Sequence, residues 1–367
     1  MKKHSNIWMR TAALLLALAI TTTSLAFAQA KYTSKIADGA TFYMWRSAAA
    51  TAYSTGGAQT LSLKEGWWGF VMRGGQGGRR FWSNTSGTND NGEAGAGGVV
   101  RGMFYHAGGT LYIWVGQFGG SGTNNIDGRA GGVKIYGSGR SAGSDATAWF
   151  GGSDGGGASI IATGSPPTHG NCIAIAAGGG GGGGANNNPD HSRGGDGGSI
   201  LTPNSGAITT ANGTCGGSVR TSATANTTGN NRYAGQGGTG SGGGAGGMSA
   251  PAWAAGSALA GGSDYGSGGS TGWGGGGGGG YYGGGGGCKV GGDNAGGGGG
   301  SSFTSAAVYP MPTTGVYARV FATLDVATYT TANRRGQRGS ATGTAQEGVI
   351  AMVYMGLSQP AAGTQGY

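Results

Sequence analysis

The 367-residue chain contains 93 glycines, and only 10% of its residues are charged. Glycine content of this order is typical of low-complexity chains, but 37% hydrophobic residues with 9 Trp, 15 Tyr and 9 Phe exclude a wholly disordered linker, because so much aromatic mass needs a core. The formal net charge of +9 falls to about +6 without the three basic residues of the first thirty, and this sparse charge favours self-association over a soluble enzyme.

The N-terminal segment has the organisation of a secretory signal peptide. Lys2, Lys3 and Arg10 precede an apolar stretch at 12–20, and small residues follow as far as Ala28 and Ala30. The apolar stretch is shorter than the roughly 20 residues that span a bilayer. We therefore expect residues 1–28 to be a signal peptide, cleaved after Ala28 or Ala30, and the mature chain to be secreted, extracellular or at the cell surface, without a membrane span.

Alternation and β-branched or aromatic content predict strands along the rest of the chain. The predicted strands are 41–45, 59–63, 68–72, 99–105, 111–115, 172–176, 316–324 and 349–355. No amphipathic helix is predicted after the signal peptide, and Asn91-Gly92 and Gly108-Gly109 supply turn residues between strands. The pattern predicts an all-β, antiparallel fold.

The first predicted strand lies in an N-terminal extension, residues 31–55. It consists of Thr41, Phe42, Tyr43, Met44 and Trp45. An additional strand at a terminus suits pairing with an exposed sheet edge of a neighbouring subunit. The same strand can instead fold onto an edge of its own sheet, and the sequence leaves both arrangements open.

Nearly pure glycine runs occupy residues 178–184, 274–280, 283–287 and 296–300. Glycine has no side chain to bury, so such runs are either flexible linkers or extended threefold helices packed backbone to backbone. In a packed bundle any Cβ would push neighbours apart, whereas a linker tolerates Ser, Thr and Asn. The purity of the runs favours packing, and we expect an inserted bundle of polyglycine II helices at about 151–300.

Seven segments carry, in order, the resemblance to a known family. They are AQTL at 58–61, WGFVMRGGQGG at 68–78, GTLYIWVGQ at 109–117, IAIAAGGG at 173–180, YYGG at 281–284, GGGSSF at 298–303 and GVIAMVY at 348–354. Together they resemble the glycine-rich domain of the extracellular region of anaplastic lymphoma kinase and leukocyte tyrosine kinase receptors and of related microbial secreted proteins.

The resemblance implies an all-β fold, an antiparallel β-sandwich of the tumour-necrosis-factor-like jelly-roll type, over residues 56–356. It also implies that the loops of this sandwich form a hexagonal array of polyglycine helices. Residues 357–367 then form a C-terminal tail. Two segments depart from the family pattern, residues 31–55 before the first matching strand and the long link at 308–346.

Three cysteines, Cys172, Cys215 and Cys288, lie in the exported part of the chain, where disulfides are permitted. Three pairings can be drawn. Cys172 precedes the apolar run at 173–176 and has the character of a small buried hydrophobe, which favours Cys215 with Cys288 as the disulfide.

Catalytic chemistry finds little support in the sequence. The one local cluster of acids and imidazole, Asp190, His191 and Asp196, lacks the spacing of a known metal or catalytic motif. Matches to the nucleotide-binding glycine pattern arise from composition alone. The arginine and glycine segment at 73–80 mimics RNA-binding segments, but export argues against a nucleic-acid partner. We expect no enzyme, no cofactor and no metal site.

The expected function is that of a secreted structural subunit, a homopolymer of an extracellular filament or surface layer, assembled by strand pairing through residues 41–45. The alternative is an adhesin or recognition module that binds a glycan or a surface protein. Its candidate ligand-binding aromatics are Trp67, Trp68, Phe81, Trp82 and Trp273. Threads in negative-stain microscopy would indicate a fibre subunit, and a monomer or trimer that binds cells would indicate an adhesin.

Overall fold

The computed structural model of the chain describes residues 35–37, 40–46, 58–78, 82–84, 87–89, 93–119, 152–183, 192–217, 233–247, 255–263, 274–290, 293–312 and 348–360. Within these ranges the chain forms β-strands and no α-helix, and every pair of neighbouring strands is antiparallel. The all-β, antiparallel prediction is therefore confirmed. The predicted signal peptide and the predicted strand at 316–324 lie outside the described residues.

Two six-stranded sheets contain most of the strands. Sheet A has the order β1 (Lys35–Ala37), β2 (Ala40–Arg46), β16 (Val349–Gly356), β4 (Gly66–Arg73), β7 (Val99–His106) and β15 (Val308–Tyr309). Sheet B has the order β11 (Thr209–Ala211), β14 (Ser302–Thr304), β10 (Cys172–Ala176), β9 (Ser159–Ala162), β8 (Gly109–Trp114) and β3 (Gln59–Leu63). Two hairpins stand apart, β5 (Trp82–Asn84) with β6 (Gly87–Asn89) and β12 (Lys289–Val290) with β13 (Asp293–Asn294).

One hydrophobic cluster draws its side chains from both sheets. Sheet A contributes Phe70, Phe104 and Ile350, and sheet B contributes Leu111, Ile113 and Ile161. A second cluster, with Val71, Met103 and Val353, belongs to sheet A, and a third, with Ile160, Ile175 and Phe303, belongs to sheet B. Because successive side chains of a strand point to opposite faces, both faces of each sheet carry buried apolar residues. This explains why β10 and most of β4 are continuous apolar runs rather than alternating ones.

The glycine segments leave the sheets at one common end, the glycine end. β4 continues into 74–78 and β10 into 177–183, while 93–98 leads into β7 and 295–301 leads into β14. Because Arg73 pairs with Val99, the segments 74–78 and 93–98 lie at the same end of sheet A. The opposite end, the loop end, holds the short turns at 64–65 and 107–108 and the loop at 163–171.

The glycine segments extend over more of the chain than the predicted insertion at 151–300. Residues 74–78, 93–98 and 116–119 hydrogen-bond with segments from that region, as in the bond from Gly75 N to Gly157 O. Three strands of sheet B, in turn, lie wholly within 151–300. Glycine segments from outside 151–300 therefore hydrogen-bond with segments from inside it. Among the described residues, no helix has the length and hydropathy that crossing a bilayer requires.

Candidate functional site

The predicted assembly strand lies within β2 and pairs with two strands of its own chain. One neighbour is β1, and the other is β16, in a register that runs from Phe42 opposite Val353 to Arg46 opposite Val349. Trp45 is buried in the cluster shared by both sheets, and Tyr43 packs against that cluster. Met44 packs against the second cluster on the other face of sheet A. Within the single chain, the strand thus adopts the folded-back arrangement.

β2 covers a strand that belongs to the core. Every residue of β16 from Val349 to Val353 is at most 5% exposed with β2 in place. Without β2, one hydrogen-bonding edge of β16 would lose its partner, and the shared cluster would lose Trp45. Truncation of a buried Trp to Ala costs roughly 3–5 kcal/mol. The edge of β16 therefore strongly favours a partner strand that carries an aromatic side chain at the position of Trp45.

The glycine segments form a hydrogen-bonded lattice whose centre is the segment 177–183. The backbone N–H groups of this segment donate to three neighbouring segments in turn. Gly178 and Gly181 donate to the segment that holds Gly279 and Gly276, and Gly179 and Gly182 donate to the one that holds Gly75 and Gly78. Gly180 and Gly183 donate to Gly195 and Ser192 of the third. The carbonyls of 177–183 accept from three further segments, 93–98, 152–157 and 295–300. Each neighbour recurs every third residue, and the segment contacts six others.

A second segment, 295–300, repeats this arrangement. Gly296 and Gly299 donate to Gly217 and Thr214, while Gly297 and Gly300 donate to Gly181 and Gly178. Gly298 donates to a further segment, at Gly285. Its carbonyls accept from 193–198, 235–238 and 274–280. The six-neighbour environment is therefore a property of the lattice and not of one run.

Close approach of the backbones explains the purity of the glycine runs. A Cβ on Gly179 would lie 2.1 Å from the carbonyl oxygen of Gly95, and one on Gly297 would lie 2.1 Å from that of Gly276. Real Cβ atoms do not approach backbone oxygens below about 3 Å, so alanine at these places would force the segments apart. Gly242, in contrast, has no atom within 4 Å of the place a Cβ would take.

Two buried serines join the sheets to the lattice. The Ser302 hydroxyl donates to Gly198 O and accepts from Ala177 N, and the Ser159 hydroxyl donates to Arg73 O and accepts from Gly116 N. Both side chains are fully buried. No role was predicted from the sequence for either serine. The sequence feature that could have identified them is their position, because each serine stands where a glycine segment meets a strand.

Of the five candidate ligand-binding aromatics, the structure describes the side chains of Trp67 and Trp68, and both are buried. Trp67 and Trp68 belong to β4 and are 9% and 1% exposed, so their burial does not support the prediction that these two residues bind a ligand. Their alternation along β4 sends them into the second and the shared cluster. Trp82 lies in β5, whereas Phe81 and Trp273 lie outside the described residues.

No disulfide joins Cys215 and Cys288, the pair that the sequence favours. Cys172 and Cys288 are buried. Burial raises the pKa of the Cys172 thiol from 9.0 to about 12 and that of the Cys288 thiol to about 11. Both thiols are therefore kept in the unreactive protonated form, and the description of Cys172 as a small buried hydrophobe fits its surroundings.

Asp196 makes polar contacts with residues of the glycine segments. Its carboxylate accepts from Ala96 N at 2.9 Å and forms an ion pair with Arg193 at 3.2 Å. Asp190 and His191, its partners in the sequence cluster, lie outside the described residues. Over the described ranges, no group of three or more His, Cys, Asp or Glu residues is placed to hold a metal ion.

No protein-family model matches the chain, and no curated protein matches it. The resemblance to the glycine-rich domain of receptor ectodomains and microbial secreted proteins therefore stays a prediction.

Proposed function

We propose that this chain is a secreted, non-enzymatic structural subunit that polymerises into an extracellular filament or surface layer. The body of each subunit is a β-sandwich formed by sheets A and B, continued at the glycine end by a bundle of polyglycine II helices. The subunits are joined by exchange of the N-terminal hairpin, β1 with β2.

The polyglycine II assignment is supported by the spacing of the hydrogen bonds. A polyproline-type helix has three residues per turn and no internal hydrogen bonds, so its peptide groups point outward in three directions and recur every third residue. The donors of 177–183 have this period and reach three different segments. With three more segments donating to its carbonyls, the segment has the six neighbours of a hexagonal array.

The sandwich assignment is supported by the cluster common to both sheets. Phe70 and Ile350 of sheet A share this cluster with Ile113 and Ile161 of sheet B, and each is fully buried. Two antiparallel sheets that interdigitate their inner side chains in this way form the core of a sandwich. A body of this kind, stiffened by a backbone lattice, suits a protein that carries mechanical load.

The observation that carries the assembly proposal is the pairing of β2 with β16. β2 belongs to the N-terminal extension, yet it fills a core position and completes the edge of β16. Residues 47–57 connect β2 to the rest of the chain, and eleven extended residues reach at most roughly 40 Å. Exchange of such an element between identical subunits reproduces the same contacts between chains, at low cost.

Mixed cysteine variants test the exchange directly. Arg46 and Val349 are paired residues of β2 and β16, so we would place Arg46→Cys in one batch of subunits and Val349→Cys in another, both with Cys215→Ala. Filaments grown from the mixture under oxidation should contain disulfide-linked dimers. A chain with both substitutions is the positive control and should also cross-link.

Negative-stain microscopy of the mature chain tests whether the chain forms filaments at all. Filaments without dimers in the mixed sample would mean that β2 stays in its own subunit and that another surface assembles the polymer. A homogeneous monomer at high concentration would overturn the structural-subunit proposal.

A further inference from the structure

The loop end of sheet A carries a cluster of aromatic and charged side chains that the proposed assembly does not use. Tyr105, near the end of β7, is 43% exposed, and Leu357, just after β16, is 66% exposed. Lys64 and Glu65 form the exposed turn between β3 and β4, and Tyr354 of β16 is half-buried beside them. We call these five residues the loop-end cluster.

The side chain of Tyr105 is held by two contacts, with Glu65 and with Trp67. Its hydroxyl donates a hydrogen bond to the Glu65 carboxylate. Its ring meets Trp67 edge-on, with centroids 5.8 Å apart, and Trp67 meets Tyr309 in the same way at 5.4 Å. An aromatic side chain that is fixed before a ligand arrives loses little conformational freedom when it binds.

Tyr354 supplies a second fixed ring in the same cluster. Lys64 Nζ lies 3.5 Å from the centroid of this ring, and Trp68 packs edge-on against it at 5.2 Å. The pKa of Tyr105 is raised, first by its hydrogen bond with Glu65, then by desolvation and by the charges of Glu65 and Tyr354.

We propose that the loop-end cluster binds a neutral glycan built of hexopyranose units. A hexopyranose presents a face of C–H groups that packs on an aromatic ring, and its rim of hydroxyls needs donors and acceptors at the edge of that ring. Tyr105 supplies the exposed ring, the Glu65 carboxylate accepts from sugar hydroxyls, and the Lys64 ammonium donates to them.

The opposite charges and the small exposed apolar area of the loop-end cluster favour a glycan over other ligands. Lys64 and Glu65 carry opposite charges, so the turn has no net charge to attract a polyanion. Beyond the Tyr105 ring, Leu357 is the one large apolar side chain that the loop end of sheet A exposes among the described residues. A protein partner would need a far larger contact area, of about 800 Å² on each side, with an apolar centre. The site is independent of the β2 exchange, so it goes beyond the proposed assembly.

Titration calorimetry with three neutral hexasaccharides, cellohexaose, maltohexaose and chitohexaose, tests the proposal on the mature chain. We expect at least one of them to bind, and we expect Tyr105→Ala to weaken that binding at least about tenfold. Tyr105→Phe keeps the ring and removes the bond to Glu65, so it and Glu65→Gln should each weaken binding by a smaller factor. Ile208→Ala removes another exposed apolar side chain, just before β11 of sheet B, and should leave binding unchanged.

A heparin-derived hexasaccharide serves as the anionic comparison. Absence of binding by all three neutral sugars, equal binding by the Tyr105→Ala variant, or binding of the anionic sugar alone would overturn the proposal. Near-ultraviolet circular dichroism checks that each variant keeps the native fold. Microscopy of the same variants separates the two proposals, because loss of glycan binding should leave filaments intact.

Discussion

The hydroxyl of Ser302 donates a 2.6 Å hydrogen bond to the carbonyl of Gly198, a residue 104 positions earlier in the chain. The same hydroxyl accepts from the backbone N–H of Ala177 at 2.9 Å. One fully buried side chain thus joins β14 to two glycine segments that enter the lattice from different places in the sequence.

Replacing Ser302 by alanine should destabilise the protein by about 1–3 kcal/mol, because two buried backbone groups lose their partner and no water can reach them. Urea unfolding followed by tryptophan fluorescence measures this change. Ser62→Ala, at an exposed place in β3, is the matched control and should change stability by less than about 0.5 kcal/mol. Equal effects of the two substitutions would show that Ser302 does not join sheet and lattice.

Gly179→Ala should disrupt the lattice, whereas Gly242→Ala should be tolerated. The added Cβ of the first lies 2.1 Å from Gly95 O and cannot be accommodated without separating two segments, while the second meets nothing within 4 Å. We expect a loss of more than about 3 kcal/mol for Gly179→Ala and a change between zero and a gain of about 1 kcal/mol for Gly242→Ala. Thermal unfolding of the two variants provides the comparison, and a folded, equally stable Gly179→Ala protein would falsify the close packing of glycine backbones.

The strands of the sheets were largely readable from the sequence. The predicted strands at 59–63 and 172–176 coincide with β3 and β10, and that at 349–355 differs from β16 by one residue. Short strands such as β9, β11 and β14 were missed, because three or four residues cannot display an alternation. β9 is buried over its whole length, which removes the alternation even where the residues are β-branched.

The partners of the glycine segments could not be predicted. A glycine carries no side chain to specify a neighbour, so the order in the lattice follows from where each strand ends and which segment it releases there. The place of Thr41 to Trp45 was undecided for a related reason. The apolar residues of this strand indicate that both of its faces are buried. They do not indicate whether the strand pairs with β16 of its own chain or with β16 of a neighbouring subunit.

Stability should fall at alkaline pH through the two buried thiols. Their folded-state pKa values, about 12 for Cys172 and about 11 for Cys288, lie above the ordinary value of 9.0, so the folded state keeps protons that the unfolded state releases. The stabilisation is therefore complete below pH 9 and is lost as the pH rises from about 9 through these raised values. Unfolding free energies at a series of pH values from 8 to 11 should fall more steeply for the native chain than for a Cys172→Ala, Cys288→Ala double variant. Parallel curves would show that the thiols are not buried as described.

Trp45→Ala should cost roughly 3–5 kcal/mol, because the side chain is 4% exposed and fills the cluster shared by both sheets. Met44→Ala, one residue earlier on the opposite face, removes a half-buried side chain and should cost less than half as much. Because an exchanged strand would make the same contacts in a neighbour, Trp45→Ala should also raise the concentration at which filaments form, while Met44→Ala should raise it less. Urea unfolding and a filament sedimentation series measure the two quantities. A Trp45→Ala chain that is weakened as a monomer yet polymerises at the native concentration would place the assembly surface elsewhere than at β2.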